Sequence, residues 1–321
     1  MKGQQISSRV ERLLRCPSCG SKLTIQTDHC QCNEPSCKSA YPIISGVPIL
    51  INERESIFSV DDIVHGRDTF FRSLRGGRIR EVLSYLVPTV SKNWKAKENY
   101  HKIAESALTS SPTPLVLIVG GSIAGEGVAA LLSFPEIELV DTDICFGPRT
   151  KVINDAHHLP FDDGSFDVVI AQAVLEHVVD PYRCVEEIYR VLKPHGMVYA
   201  ETPFMQQVHG GRYDFTRFTH LGHRRLFKRF EELDSGVVCG PGMALSWSWQ
   251  YFLLSFVTSR LARRLVRIFA AFTSFFLKYF DYFLIDKRGA FDAASGYYFM
   301  GKKSEHVISD VDLLDFFRGF R

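Results

Sequence analysis

Three groups of residues in this 321-residue chain have types and spacings suited to chemistry. The first is a run of cysteines: Cys16-Pro17-Ser18-Cys19, then Cys30, Cys32 and Cys37. Two short-spaced pairs on turns, Cys16 with Cys19 and Cys32 with Cys37, set four thiolates tetrahedrally around Zn²⁺. Cys30 is a spare thiol or a substitute for Cys32. Four thiolates close the coordination sphere, so this zinc is expected to be structural. A piece this small buries too little apolar surface to fold alone, which gives the metal a physical reason. Reactive or merely buried thiols are the competing reading.

The second group is a glycine loop. Leu115-Val116-Leu117-Ile118-Val119 reads as a buried strand, and Val128-Ala129-Ala130-Leu131-Leu132 as a helix. Between them lies Gly120-Gly121-Ser122-Ile123-Ala124-Gly125-Glu126-Gly127. Strand, glycine loop and helix bring backbone close to a ligand at a helix start. Ile137 to Val140 reads as the next strand, with Asp141 and Asp143 at its end. A carboxylate there accepts two ribose hydroxyls. Nucleotide, flavin and dinucleotide sites share these features, so they do not yet choose a cofactor.

The third group sits at the ends of later strands. Gln172, Glu176 and His177 follow the apolar run from Phe166 to Ala171. After Met197 to Glu201 come Thr202-Pro203-Phe204, and then His209-Gly210-Gly211-Arg212-Tyr213-Asp214-Phe215-Thr216-Arg217-Phe218-Thr219. Ligands meet at the carboxyl ends of parallel strands, so these residues belong near a substrate. His209 is the first candidate for a general base and His177 the second; a structural hydrogen bond is the alternative for each. Arg212 and Arg217 can hold an anionic group, or Asp214 and Arg217 can pair and fix the loop.

The elements that must position these groups follow from pattern. Short apolar runs alternate with amphipathic stretches from Leu115 to about Gly240, which predicts an α/β fold with a mostly parallel sheet. A cysteine-rich piece over 1–52 precedes it, then a helical linker or cap over 53–114. In that linker Ile79, Val82, Leu83 and Leu86 fall at helical spacing. The main domain is expected over 115–303, with a helical, aromatic insertion at about 240–294 before a late strand at Ser295 to Met300, and a tail over 304–321. Within the insertion Arg260, Arg263, Arg264 and Arg267 form one helical stripe beside Leu261, Leu265, Phe269 and Phe272. That is the pattern of a helix lying on anionic lipid, through 244–285; a cap over the acceptor pocket or a dimer face is the alternative.

Composition bounds the function. Thirty-eight Lys and Arg against thirty-six Asp and Glu leave +2, which gives no case for a general nucleic-acid binder. The apolar share of 45% excludes global disorder. Clustered cysteines in one short stretch of a long chain are not a secreted disulfide scaffold. The first residues lack an apolar core, so a cytoplasmic location is expected, with peripheral contact at the inner membrane face. Arg260, Arg263, Arg264, Arg267, Lys278 and Asp281 interrupt the apolar stretch 251–285, which argues against a spanning helix.

Two resemblances sharpen this reading. Leu14 to Ile51 resembles the zinc-ribbon activator subunit of several RNA and protein methyltransferases. The run Asp155-Ala156-His157-His158-Leu159-Pro160-Phe161-Asp162-Asp163-Gly164-Ser165-Phe166-Asp167-Val168-Val169 resembles the type 11 group of S-adenosylmethionine-dependent, Rossmann-like methyltransferases. The match runs from Leu115 to about Pro203 and implies a seven-stranded, mostly parallel sheet. It implies S-adenosylmethionine as cofactor, held by Gly120, Gly121, Gly125, Asp143 and Gln172. Asp155 would meet the adenine amino group and the Ala156 backbone the ring. The family often has an acid two positions before its first loop glycine; here that residue is Ile118.

The stretch from Asp214 to Thr219 resembles methyltransferases of sugar and cell-surface polysaccharide pathways. The expected acceptor is therefore a hydroxyl on a small molecule, a sugar or a lipid-linked glycan. An RNA or protein methyltransferase with its activator fused in cis is a second reading. Against it, Thr202-Pro203-Phe204 stands where such enzymes often carry Asn-Pro-Pro-Tyr. A non-catalytic, membrane-associated binding module is a third.

Overall fold

The cysteine-rich piece folds as two hairpins after a short helix. In the computed structural model, which describes residues 6–67 and 87–320, α1 (Ser8–Leu13) leads into β1 (Leu23–Ile25), β2 (His29–Cys32), β3 (Ala40–Ile44) and β4 (Val47–Leu50). The apolar run Tyr41 to Ile51 is thus broken by a tight turn. Ser45 and Gly46 both have positive φ, 54° and 81°, as a two-residue hairpin turn demands. The helix-spaced Ile79, Val82, Leu83 and Leu86 lie outside the described residues. What is described of the linker includes α2 (Val60–Val64) and α3 (Ala96–Ser110).

The α/β alternation appears as expected. β5 (Leu115–Val119) is buried throughout, and the glycine loop leads to α4 (Val128–Leu131). Then come β6 (Glu138–Asp143), β7 (Val152–Asn154) and β8 (Phe166–Gln172). Helix α5 (Pro181–Val191) starts on the Asp180 cap with Pro181 in its first turn. Next are β9 (Leu192–Pro203), α6 (His220–Leu226) and β10 (Phe230–Cys239). The insertion comprises α7 (Pro241–Leu254), α8 (Arg260–Ser274), a 3₁₀ segment at Phe275–Tyr279, α9 (Asp281–Leu284) and α10 (Arg288–Ala293). The last strand is β11 (Gly296–Lys303).

The strands form one sheet in the order β1-β2-β3-β4-β7-β6-β5-β8-β9-β11-β10. Its last seven strands are the expected seven-stranded unit, with β11 antiparallel between β9 and β10. The sheet does not stop there. Ribbon strand β4 pairs in parallel with β7, Ile49 beside Ile153 and Leu50 beside Asn154, which makes eleven strands in all. One continuous apolar core carries Val10, Leu14, Cys30 and Leu50 together with Leu117, Phe161, Val169 and Phe227. The ribbon is therefore built onto the main domain.

Candidate active site and zinc centre

The zinc centre is assembled by turns of the ribbon. Cys16, Cys19, Cys32 and Cys37 bring their sulfurs within 4.8 Å of one another. Cys16 and Cys37 are 3.8 Å apart and Cys19 and Cys32 are 3.5 Å apart. A tetrahedron with Zn–S bonds of about 2.3 Å has edges of about 3.8 Å, so the four thiols fit a structural Zn²⁺. Cys30 takes no part; it is fully buried in the core.

A cleft opens at the carboxyl ends of β5, β6, β7 and β8. Gly120, Asp143, Asp155 and Ala156 line it, as do Thr142, Asn154, Val174, His177 and Tyr213. Gly120 has φ +75°, and a Cβ there would meet Val174 Cγ2 at 2.4 Å. Asp143 accepts from the backbone N–H of Ser122 and of Cys145, both at 3.0 Å. Burial raises its pKa despite these bonds. The acidic position that Ile118 leaves empty has a neighbour across the sheet: Asp141 is the register partner of Ile118 and lies under Gly121. Arg149 pairs with that carboxylate.

Asp155 is held from two sides. His157 donates to Oδ1 from its backbone N at 3.0 Å and from ring Nδ1 at 2.6 Å. His157 Nε2 accepts from the Asp180 N–H, which fixes the tautomer with the proton on Nδ1. Ser56 Oγ donates to Oδ2 at 2.5 Å. Burial pushes the Asp155 pKa up, but the bonds from His157 and Ser56 outweigh it and hold it below the ordinary value. The segment 56–58 then crosses the cleft mouth, where Phe58 stacks on Tyr213 with centroids 5.5 Å apart. The free space left is about 100 Å³. That is below the roughly 300 Å³ at the small end of ligand sites, with Ile57 and Phe58 of this strap in the lining.

Three residues expected at the cofactor are not among those lining the cleft. Gly121 and Gly125 lie on the loop's inner side, and Gln172 stands behind it. A Cβ at Gly125 would meet Gln172 Oε1 at 1.9 Å, so Gln172 packs directly on the loop. Its amide donates to Glu201 Oε2 at 3.0 Å and to the Glu126 carbonyl at 3.1 Å, and it accepts from Tyr100 OH at 3.0 Å. Glu201 also accepts from Asn93 and Tyr199, and burial raises its pKa. Sequence reasoning missed this support. A carboxylate inside an otherwise apolar strand was the available signal.

Beyond the cleft the two histidines meet. His177 and His209 have ring centroids 4.9 Å apart, and both Nε2 atoms face Glu176 Oε1, at 3.7 and 3.8 Å. Burial lowers the pKa of each histidine. Glu176 is wholly buried, which pushes its pKa up to about 8. Arg217 is engaged in fixing the loop. It pairs with Asp214, which also accepts from the N–H groups of His209 and Gly210 at 2.8 and 3.0 Å. Arg212 bonds Tyr213 OH at 2.7 Å. Helix α7 covers this loop: Tyr251 OH donates to the Val208 carbonyl, and the Gln207 amide donates to Ser248 Oγ.

Comparison with known proteins matches the middle of the chain. Residues 132–200 match the family model described as a methyltransferase domain. This stretch is a methyltransferase domain. It holds β6, β7 and β8 with Asp143, Asp155, Ala156, Gln172 and His177, and most of β9. A demethylmenaquinone methyltransferase of Clavibacter sepedonicus is 50% identical over 72 residues, which are 22% of this chain and 29% of that protein. One from Lactobacillus johnsonii is 52% identical over 44 residues, 14% of this chain and 18% of its own. These matches therefore span less than a third of the relatives' length. Among solved structures, phosphoethanolamine N-methyltransferase 2 of Haemonchus contortus aligns with TM-score 0.46 and 14% identity, over 75% of this chain and 61% of that one. The close backbone approach at Gly120 and the buried carboxylates of Asp143 and Asp155 in the cleft lining are groups of the kind S-adenosylmethionine would require.

Proposed function

We propose that this protein transfers a methyl group from S-adenosylmethionine to a hydroxyl of a small molecule, a sugar or a lipid-linked glycan. One observation carries the reading. His177 lines the cleft and also belongs to the cluster of Glu176, His177 and His209, and the carbonyl of Tyr213, another lining residue, accepts from His177 Nδ1. A place for the cofactor thus runs into a place for an acceptor. S-adenosylmethionine supplies an electrophilic methyl on its sulfonium. Gly120, Asp143 and Asp155 orient it, and the strap at Ser56 and Phe58 excludes water when closed. With His209 Nδ1 occupied by the Gln207 carbonyl and the Arg217 guanidinium, Nε2 is the atom assigned to take the hydroxyl proton.

The insertion supports a membrane-borne acceptor. Leu261, Leu265, Phe269 and Phe272 stay exposed along α8, with Arg260, Arg264 and Arg267 exposed beside them. Arg263 leaves the expected stripe, because it donates to the Leu254 and Val257 carbonyls near the end of α7. A basic edge beside an apolar face fits an anionic lipid surface. No helix among the described residues is long and apolar enough to cross a membrane.

The test is transfer of labelled methyl into host extract split into lipid, polysaccharide, RNA, protein and small-molecule fractions. Label in lipid, polysaccharide or small molecules, reduced by His209→Ala, is expected. Label in RNA or protein would replace this acceptor class. No label from protein that binds the cofactor would leave a binding module. Sedimentation with phosphatidylglycerol vesicles, absent with phosphatidylcholine alone, checks the lipid contact.

A further inference from the structure

Glu176 poses a problem that its surroundings do not solve. Its side chain is 0% exposed, and neither carboxylate oxygen has a hydrogen-bond partner among the described residues. A buried carboxylate is normally paired, hydrogen-bonded or bound to a metal. The side-chain nitrogens closest in kind are His177 Nε2 at 3.7 Å and His209 Nε2 at 3.8 Å, too far for hydrogen bonds. Yet the ligand atoms of all three residues lie within 4.8 Å of one another, a separation that one shared ion can bridge.

The outer shell is also in place. His177 Nδ1 bonds the Tyr213 carbonyl at 2.8 Å, and His209 Nδ1 bonds the Gln207 carbonyl at 3.3 Å. The His177 bond puts the proton on Nδ1 and directs the Nε2 lone pair inward, the usual arrangement behind a histidine ligand, while His209 Nδ1 also lies 3.4 Å from Arg217 Nη2, and a cation at Nε2 would select the same tautomer there. Two loops supply the three residues. They are tied together by the N–H groups of Phe215 and Thr216 donating to the Glu176 carbonyl, at 2.8 and 3.3 Å. Asp214 clamps the second loop at His209. The donors are therefore positioned by backbone on both sides.

We propose that Glu176, His177 and His209 form a divalent-cation site, separate from the cysteine centre, that takes a hydroxyl oxygen of the acceptor as a further ligand. Two imidazoles and one carboxylate suit Zn²⁺ or a similar first-row ion, and three protein ligands leave a position open. The acceptor role, but not the ion site, rests on the methyltransferase reading above. Coordination acidifies the hydroxyl, whose proton passes to solvent. The oxygen's electron pair then forms the O–CH₃ bond as the sulfur–methyl bond breaks onto sulfur. In the loaded protein His209 is a ligand.

The experiment counts metal on the full chain. Protein is stripped with chelator, reloaded with Zn²⁺ alone, desalted and measured for zinc per chain. Two equivalents are expected in the parent and one in Glu176→Gln, which keeps the shape and removes the buried charge. His209→Ala should also hold one. Cys19→Ser should lose the other equivalent while keeping this one. Reloading with Co²⁺ tells the sites apart, because only the cysteine centre gives sulfur charge-transfer absorption. A single equivalent in the parent, or two in Glu176→Gln, overturns the proposal. S-adenosylmethionine binding is followed separately by calorimetry. Two zinc ions without cofactor binding would sink the methyltransferase reading and leave the ion site standing.

Discussion

The Ser56 hydroxyl donates to Asp155 Oδ2 at 2.5 Å, joining the segment that leaves the ribbon to a carboxylate in the wall of the cleft. The ribbon meets the main domain again, away from the cleft, where Leu14 bridges to Phe161 and Arg15 pairs with Asp162. Through the Ser56–Asp155 bond, metal at the cysteine centre is expected to influence cofactor binding from a distance. Removing that zinc, by chelation or Cys19→Ser, is expected to lower the melting temperature. It should also weaken S-adenosylmethionine binding about tenfold, the equivalent of one hydrogen bond to a charged group. Calorimetry with and without zinc checks this. Unchanged affinity would show that strap and ribbon act independently.

The two Asp143 oxygens hold the N–H groups of Ser122 and Cys145, and under the proposed function their remaining lone pairs would meet ribose hydroxyls. Asp143→Ala should cost about 10–100-fold in cofactor affinity. Stability should fall as well, by about 1–2 kcal/mol, because two N–H groups lose their acceptor. Titration calorimetry and urea unfolding separate the two effects. Intact affinity would remove Asp143 from the ribose site.

Gly120→Ala tests the cradle. The new methyl would lie 2.4 Å from Val174 Cγ2, on a backbone at φ +75° that alanine resists. A loss of about 1–3 kcal/mol in stability is expected, with cofactor binding abolished. Wild-type binding by the variant would mean that the loop can be rebuilt at no cost.

Acid should destabilise the protein through two histidines remote from the cleft. His223 is fully buried against Phe218 and Phe227, and burial lowers its pKa to about 3. His220, packed on Phe291 and Tyr297, is lowered to about 4 by burial and nearby arginines. The unfolded chain protonates both near pH 6.5, while the native state does not until much lower. Their stabilising contribution is thus complete above pH 6.5 and shrinks as pH falls toward 4. His223→Phe should remove on the order of 1–2 kcal/mol of that pH dependence. Equal slopes for parent and variant in urea unfolding at pH 6.5 and 4.5 would refute it.

Local pattern made much of the site legible. The glycine loop and the Asp143 strand end are set by period and spacing over a few residues, and they appear where those place them. The choice between Cys30 and Cys32 was not so set. In β2 they are two residues apart and share a face, so the alternation of a strand cannot separate them. Only the turn that brings Cys37 back settles the fourth sulfur. Ser56 gave no signal, since its partner lies 99 residues away. Gln172 was placed correctly at a strand end, yet its side chain answers to Glu201, which needs donors in a buried setting. The parallel join of β4 to β7 was equally hidden, because both edges read as ordinary apolar strands.

The place of β11 between β9 and β10 sets an order of assembly. β10 pairs with β11 alone, so it has no seat in the sheet until residues 296–303 arrive. Asp281 accepts from the N–H groups of Gly242 and Met243, at 2.7 and 3.0 Å, and closes the excursion between these two strands near its start. Closing it early shortens the effective loop whose entropy opposes the last pairing. The aromatic helices thus bear on the folding route as well as on the finished surface: until β11 pairs, β9 offers an open edge to any other chain.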